Sequence, residues 1–453
     1  MNNDTIAAIA TAPGRGSVGI VRLSGPSAFS IAEKISKITS PIARHAYFTP
    51  FLDKQNKPLD EGLILHFSAP HSFTGEDVVE FQCHGGPVVL DMLLKTSLSL
   101  GARQALPGEF SERAFLNDKI DLTQAEAIAD LIDASSERAA KQAIASLQGE
   151  FSKRVNSLVE QVINLRLFVE AAIDFPEEEI DFLSDPKIFD ALNKITGCLD
   201  EILHSAQQGC LLREGLKVVI AGRPNAGKSS LLNALADDEI AIVTDIKGTT
   251  RDTLKETIHL DGLPIQLVDT AGLRKTEDQI EQIGIERAWS EINQADMILL
   301  ICDSAEAEQI NPKQAWPEFF QHDSKSKTLV VFNKCDLSGW IEPPVSSDTE
   351  YAVCVSAKTR AGIDLLKSTI FNRFGLEHNT EGIVSARRRH LDALNRAKQA
   401  LGRGSALIND DVSAGELLAE ELKLVQNYLG EITGKITPDE LLGKIFGSFC
   451  IGK

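Results

Sequence analysis

Gly222-Arg223-Pro224-Asn225-Ala226-Gly227-Lys228-Ser229 has the spacing G-x4-G-K-[ST] between an apolar run, "KVVIA", and a helical one, "SLLNAL". Such a loop closes backbone N–H groups around phosphates at a helix N-terminus, and Ser230 continues that first turn. Lys228 suits a bridge between the β- and γ-phosphates, and the Ser229 hydroxyl suits Mg2+. Asp269-Thr270-Ala271-Gly272 follows the strand-like "IQLV". There Asp269 is expected to hold the ion through water, and Gly272 to sense the γ-phosphate. Asn333-Lys334-Cys335-Asp336 follows "TLVVF", and a carboxylate at Asp336 accepts from the N1 and N2 hydrogens of guanine, a donor pair that adenine lacks. Ser356-Ala357-Lys358, after "YAVCV", reads as the loop whose backbone N–H meets the guanine carbonyl. A lone D-x-x-G is an ordinary strand-to-turn signal, but four elements in this order select GTP over ATP.

Between the phosphate loop and Asp269 lies "TDIKGTT": Thr244, Asp245, Ile246, Lys247, Gly248, Thr249 and Thr250. Thr249 and Thr250 are both candidates for the switch threonine that closes on Mg2+ and the γ-phosphate; the plainer reading is two turn residues in a Gly-containing loop. The residue after Gly272 is Leu273, where many small GTPases carry the Gln that orients the attacking water. Leucine cannot do that. A cation, a distant side chain or a partner must.

The elements that position these residues follow from the pattern of apolar spacing. Residues 1–118 mix β-like runs (Val18 to Leu23, Val78 to Gln82) with Gly/Pro turns and a helix near Val88 to Leu100, which reads as an α+β domain. Residues 119–213 repeat apolar positions at helical spacing, with a capping-box signature at Thr123 and Glu126. Residues 214–376 alternate strands and helices as an α/β unit carrying the nucleotide motifs. Helices return over 377–453, with Ser413/Glu416 and Thr437-Pro438/Glu440 as helix starts. The expected fold class is multidomain: an N-terminal α+β domain, then a helical domain interrupted by an inserted P-loop α/β domain.

Composition bounds the rest. The chain has 453 residues, 43% hydrophobic and with 17 prolines, as expected for folded domains rather than disorder. The longest apolar stretches are strand-length, and the N-terminus "MNNDTIAAIATAP" lacks the basic start of a secretory signal. The seven cysteines are scattered without a C-x-x-C, so neither a zinc site nor a disulfide framework is indicated and a reducing cytoplasm is expected. A formal net charge of −19 argues against non-specific coating of nucleic acid, leaving "SARRRH" (Ser385 to His390) as a local basic patch or a solvated helix start.

With "PGRGSVGIVRLSG", "FTGEDVVEFQCHGGP", "PGEFSERAFLNDKIDLTQAEAIADLIDASS", "EAAIDFPEEEIDFLSD", the nucleotide motifs, "GIERAW", "LLAEEL" and "SFCIGK", the whole chain resembles the tRNA-modification GTPase MnmE (TrmE) family. The resemblance implies a K+ ion at the phosphates in place of an arginine finger, held by Asn225, Thr249 and the carbonyls of Thr244 and Ile246. It gives Thr250 the Mg2+ role beside Ser229. It puts Glu281 in the place of the water-orienting residue; from the sequence alone Glu281 is a solvated helix residue. It also implies that the N-terminal domain is folate-binding and dimerising, taking a 5-formyl-tetrahydrofolate-type cofactor at Arg22, Glu80, Lys119 and Lys453. Arg and Lys suit a carboxylate or formyl oxygen, and Glu80 suits a pterin amine. The implied partners are a second copy of the chain, an FAD protein resembling MnmG (GidA), and tRNA. The implied outcome is a carboxymethylaminomethyl-type group on carbon 5 of the wobble uridine. The rival readings are a non-enzymatic GTPase switch of ribosome assembly or translation, and a folate-dependent methyltransferase that acts without a partner.

Three further features are weighed against this reading. Gly14-x-Gly16-x-x-Gly19 fits a dinucleotide fingerprint, but β-like "IVRLSG" follows where a helix is needed. "HGGP" (His84 to Pro87) reads as a turn before a helix, not an oxyanion hole. "CIGK" fails as a prenylation box at Gly452 and Lys453. The helix before it is expected to bury Leu441, Leu442, Ile445, Phe446 and Phe449, and the mobile-looking tail to carry Cys450 and Lys453 toward the folate pocket, where Cys450 is either a reaction participant or a half-buried thiol.

Overall fold

The computed structural model describes residues 4–174, 186–236, 255–260, 263–269, 290–306, 327–342, 352–376, 384–407, 414–435 and 439–452. By packing, the chain divides into two compact units, Met1–Ala129 with Ser146–Thr196 and Ala393–Lys453, and Asp130–Ala145 with Gly197–Asp392.

The first unit opens with β1 (Ile6–Ile9), β2 (Val18–Ser24), α1 (Ala28–Ser36), β3 (Tyr47–Leu52), β4 (Pro58–Phe67), β5 (Val78–His84), α2 (Pro87–Ser99) and β6 (Arg103–Gln104). The strands form one sheet in the order β3-β4-β5-β2-β1-β6, antiparallel except for the β1/β6 pair. In β2 the side chains alternate between buried and partly exposed, so Val21 and Leu23 enter the core while Arg22 stays on the other face. Ile31, Ile35, Phe51, Ile64, Phe81 and Leu93 complete that core between the sheet and its helices. The dinucleotide reading of Gly14 to Gly19 ends here: Gly19 is inside β2, and a Cβ on it would meet Leu90. "HGGP" is the expected turn, with Gly86 as N-cap and Pro87 opening α2.

Next come α3 (Glu109–Leu116), α4 (Leu122–Ile132), α5 (Glu137–Leu147), α6 (Glu150–Asp174) and α7 (Pro186–Glu214). The capping box of α4 differs from the expected one. Asp121 accepts from the Gln124 N–H at 2.9 Å and Gln124 Oε1 accepts from the Asp121 N–H at 3.0 Å. Asp121 and Gln124 are three apart like Thr123 and Glu126, but they sit two residues earlier in the chain. Thr123 instead lies inside the helix, its hydroxyl bonded to Asp121 and Ser152.

The α/β domain comprises β7 (Leu216–Gly222), α8 (Lys228–Ala236), β8 (Lys255–Leu260), β9 (Leu263–Asp269), β10 (Met297–Asp303), β11 (Thr328–Asn333), the short α9 (Cys335–Ser338), β12 (Ala352–Cys354) and α10 (Ile363–Arg373). Its sheet runs β12-β11-β10-β7-β9-β8, parallel except for the β8/β9 hairpin. β10 and β11 are buried at every residue, as strands of a sheet covered on both faces must be.

The chain then continues as α11 (Arg388–Leu407), α12 (Ala414–Thr433) and α13 (Asp439–Gly447). Ser413, Thr437 and Pro438, expected at the helix starts, lie outside the described residues. The tail is docked, as expected: Ile445, Phe446 and Phe449 are buried against Leu122 and Ala125, with Leu441 and Leu442 partly buried beside them. It is not, however, loose. Ile451 bridges Pro107, the Gly108 N–H donates to the Cys450 carbonyl at 3.3 Å, and Gly452 (φ +99°) lies so close to the Ile9 carbonyl that a Cβ would collide with it. Backbone pairing, invisible to side-chain periodicity, holds these three residues. No described helix is long and apolar enough to cross a membrane.

Candidate functional site

The nucleotide motifs collect at the carboxyl ends of the parallel strands, where open α/β sheets bind ligands. The phosphate loop leaves β7 at Gly222 and turns through Asn225 (φ +66°) and Gly227 (φ +89°) into the N-terminus of α8. The left-handed turns aim successive N–H groups at one point, and the helix adds its dipole. Lys228 Nζ is held inside the loop by the carbonyls of Gly222 (3.0 Å) and Arg223 (3.2 Å). Ser229, Ser230 and Asn225 are exposed, and Ala226 is buried. Asp269 ends β9 opposite Ile220 of β7.

Asn333 ties the base-recognition loops to the phosphate loop. It is 1% exposed, its Nδ2 donates to the Ala226 carbonyl at 3.0 Å, and its Oδ1 accepts from the Ala357 N–H at 3.1 Å. A Cβ on Gly227 would strike this amide. Asp336 is exposed and takes a 2.7 Å hydrogen bond from Ser356 Oγ, which itself accepts from the Thr359 N–H. Three loops are therefore joined through two side chains. Lys334 (φ +64°) reaches Asp303 Oδ2 at 2.6 Å. The sequence reading missed Asp303; its signal is a carboxylate at the end of the continuous apolar run "MILLIC". Lys358 is exposed at the rim.

Thr244, Asp245, Ile246, Lys247, Gly248, Thr249, Thr250, Thr270, Ala271, Gly272, Glu281 and Lys453 lie outside the described residues.

In the N-terminal domain Arg22 and Glu80 are partners across β2 and β5, joined from Nε to Oε1 at 2.8 Å with side chains 23% and 16% exposed. The guanidinium stacks on Phe73 and Phe110, 5.9 and 5.7 Å from the ring centroids. Neither aromatic was singled out in the sequence. Lys119 is exposed and donates to the Pro70 carbonyl at 2.8 Å, on the loop that carries Phe73. Phe110 belongs to α3, two residues after the Gly108 that binds the Cys450 carbonyl, so the docked tail approaches the same helix. Cys450 is exposed, whereas burial pushes the Cys83 and Cys210 thiols up to about 11 and those of Cys302 and Cys354 up to about 12.

The stretch Ser385 to His390 runs into the start of α11, with Arg387 mostly buried and Arg388 83% exposed, which fits the solvated helix start. Arg387 donates to Asp130 at 2.7 Å and Arg388 to Glu214 at 2.8 Å.

Two family models match the chain, "GTP-binding protein TrmE N-terminus" over residues 5–119 and "MnmE helical domain" over residues 122–450. Proteins named tRNA modification GTPase MnmE are similar along their full length. That of Saccharophagus degradans is 58% identical over 453 residues, covering 100% of this chain and 99% of the relative. That of Pseudomonas aeruginosa (strain UCBPP-PA14) is 59% identical over 453 residues, with 99% of each covered. That of Pseudoalteromonas translucida is 57% identical over 456 residues, with 100% of each covered. One family model spans more than half of the chain and the relatives are similar along their full length: this chain belongs to the tRNA modification GTPase MnmE family.

Proposed function

We propose that this tRNA modification GTPase hydrolyses GTP in a K+-dependent reaction and, with an FAD-bearing MnmG-like partner, installs a carboxymethylaminomethyl-type group on carbon 5 of the wobble uridine of certain tRNAs. The observation that carries the GTP half is the Asn333 amide, which sets the phosphate loop and both base-recognition loops in one rigid frame. Within it Asp336 selects guanine, the Ser356 hydroxyl aims that carboxylate, and Asp303 anchors the Lys334 ammonium. Lys228 exchanges its two loop carbonyls for phosphate oxygens, so its charge is already at the point where negative charge develops.

Mg2+ fits the exposed Ser229 hydroxyl, with Thr250 as the second ligand, and K+ fits the exposed Asn225 with Thr249 and the carbonyls of Thr244 and Ile246; bound there, the two ions supply positive charge to the transferred phosphoryl group. Glu281 is assigned the orientation of the attacking water. The G domains of two copies are read as closing on each other across the nucleotide, and the N-terminal domains as holding the homodimer.

The N-terminal site suits a folate that carries a one-carbon unit. Phe73 and Phe110 offer ring faces, and Glu80 keeps Oε2 for a pterin donor while Oε1 anchors Arg22. Lys119 and Lys453 complete this reading, and Cys450 is assigned a part in the modification step. The testing experiment is GTP turnover in KCl against NaCl at equal ionic strength. Faster turnover in KCl is expected, and equal rates would remove the cation from the mechanism.

A further inference from the structure

The chain enters the inserted α/β domain at Arg213-Glu214-Gly215 and leaves it before α11, through Val384 to Arg387. Both crossings are fastened to one carboxylate from a segment remote in sequence. Asp130 of α4, with its side chain 8% exposed, accepts from Arg213 Nε at 2.7 Å, Arg387 Nη2 at 2.7 Å and Ser385 Oγ at 3.0 Å. Around this clasp Arg388 Nε donates to Glu214 at 2.8 Å and Gln208 Nε2 to the Gly375 carbonyl at 2.7 Å. Gly209 packs so closely on the Val384 carbonyl that no side chain fits there. The clasp adjoins the start of β7, at the amino ends of the parallel strands, while the nucleotide loops occupy the carboxyl ends. The clasp and the GTP chemistry therefore lie at opposite ends of the sheet.

Beside the clasp is a cavity of about 450 Å3, lined by Asp130, Arg213, Ser385, Asp133 and Gln142, among others. Gln142 is 6% exposed, and its Nε2 has no hydrogen-bond partner among the described residues. A buried donor without an acceptor is costly, and an arrangement that brings an acceptor to it is favoured by that amount. The cavity gives the clasp room to shift, and the orphan donor gives it a second arrangement to shift toward.

We propose that Asp130 is a positioning residue that couples GTP turnover to tRNA modification, by making entry, exit and α4 move as one body when the nucleotide state changes. This rests on the reading that GTP turnover drives modification. Asp130→Asn keeps the size of the side chain but removes the charge that holds two arginines. As the sole copy in cells, it is expected to lower wobble-modified nucleoside in total tRNA about tenfold, while the purified protein hydrolyses GTP within about twofold of the parent. Asp130→Glu is expected to recover part of the loss. Modification at the parent level would overturn the proposal, and so would a parallel fall in turnover and modification with a lowered unfolding temperature. Ser385→Ala, which removes one neutral donor, serves where Asp130→Asn does not fold: it is expected to lower modification severalfold at unchanged turnover, and no effect would overturn the clasp. If tRNA modification does not depend on the parent chain at all, the functional reading fails and the clasp falls with it.

Discussion

Asp336 and Asn333 sit in the same four-residue motif and do different work, one facing the base and the other holding three loops together. Asp336→Asn is expected to weaken GTP binding by about 3 kcal/mol, roughly a hundredfold, and to shift preference toward xanthosine triphosphate, whose extra carbonyl matches the new amide donor. Competition binding with the two nucleotides checks this. These residues were legible in the sequence because the motif is local. Asp303 and Phe73 were not, because only strand register and loop packing bring them to Lys334 and Arg22. A second residue-scale consequence concerns acid. Hydrogen bonding from Arg103, outweighing burial, holds the Asp4 carboxyl below its ordinary value. Burial pushes Glu109 up, but hydrogen bonds from Arg103, the Leu106 N–H and Arg113 outweigh it and leave it lowered. Groups lowered on folding contribute stability above their unfolded values, about pH 4, and that contribution is lost as pH falls through the folded ones. Burial raises Glu112, which acts in the opposite direction. Burial also holds the His66 imidazole below its ordinary value, so its contribution falls as pH drops below about 6.5. The unfolding midpoint is expected to decline gently below about pH 6.5 and to drop further below about pH 4, with Glu109→Gln flattening the second drop; thermal scans across pH measure it.

Elements were read well where their apolar spacing is long and regular, and less well at their ends. The helix beginning at Leu122 was anticipated, but its capping pair was displaced, because the helix starts two residues earlier, with the Asp121 carboxylate on the Gln124 N–H and Thr123 already inside the first turn. The tail shows the same limit. Its apolar face was legible; its pairing with Pro107 and Gly108 was not, since backbone hydrogen bonds leave no side-chain period. Gly452→Ala is expected to release Cys450 to Gly452, because its φ is +99° and a Cβ meets the Ile9 carbonyl. Faster proteolytic trimming of the C-terminus is the readout. Cys450→Ser keeps the docking, and is expected to impair tRNA modification with GTP turnover intact. Loss of both activities, or of neither, would contradict the assignment of Cys450 to the modification step.

At the scale of the molecule, a formal net charge of −19, with Arg387 and Arg388 each paired to a carboxylate, argues against the chain alone supplying strong tRNA backbone contact. Recognition of the tRNA is better sought with the partner present. The insertion of an α/β domain into a helical chain was legible from the switch in apolar period near Gly215. The clasp that secures the insertion was not, since Asp130, Arg213 and the pair Ser385 and Arg387 come from three segments far apart in sequence. The account as a whole holds that GTP turnover in this frame drives modification of tRNA. Its most direct test is the nucleoside composition of tRNA from cells whose sole copy carries Lys228→Ala. The account predicts loss of the carbon-5-modified wobble uridine together with loss of GTP turnover; modification at the parent level with turnover abolished would contradict it.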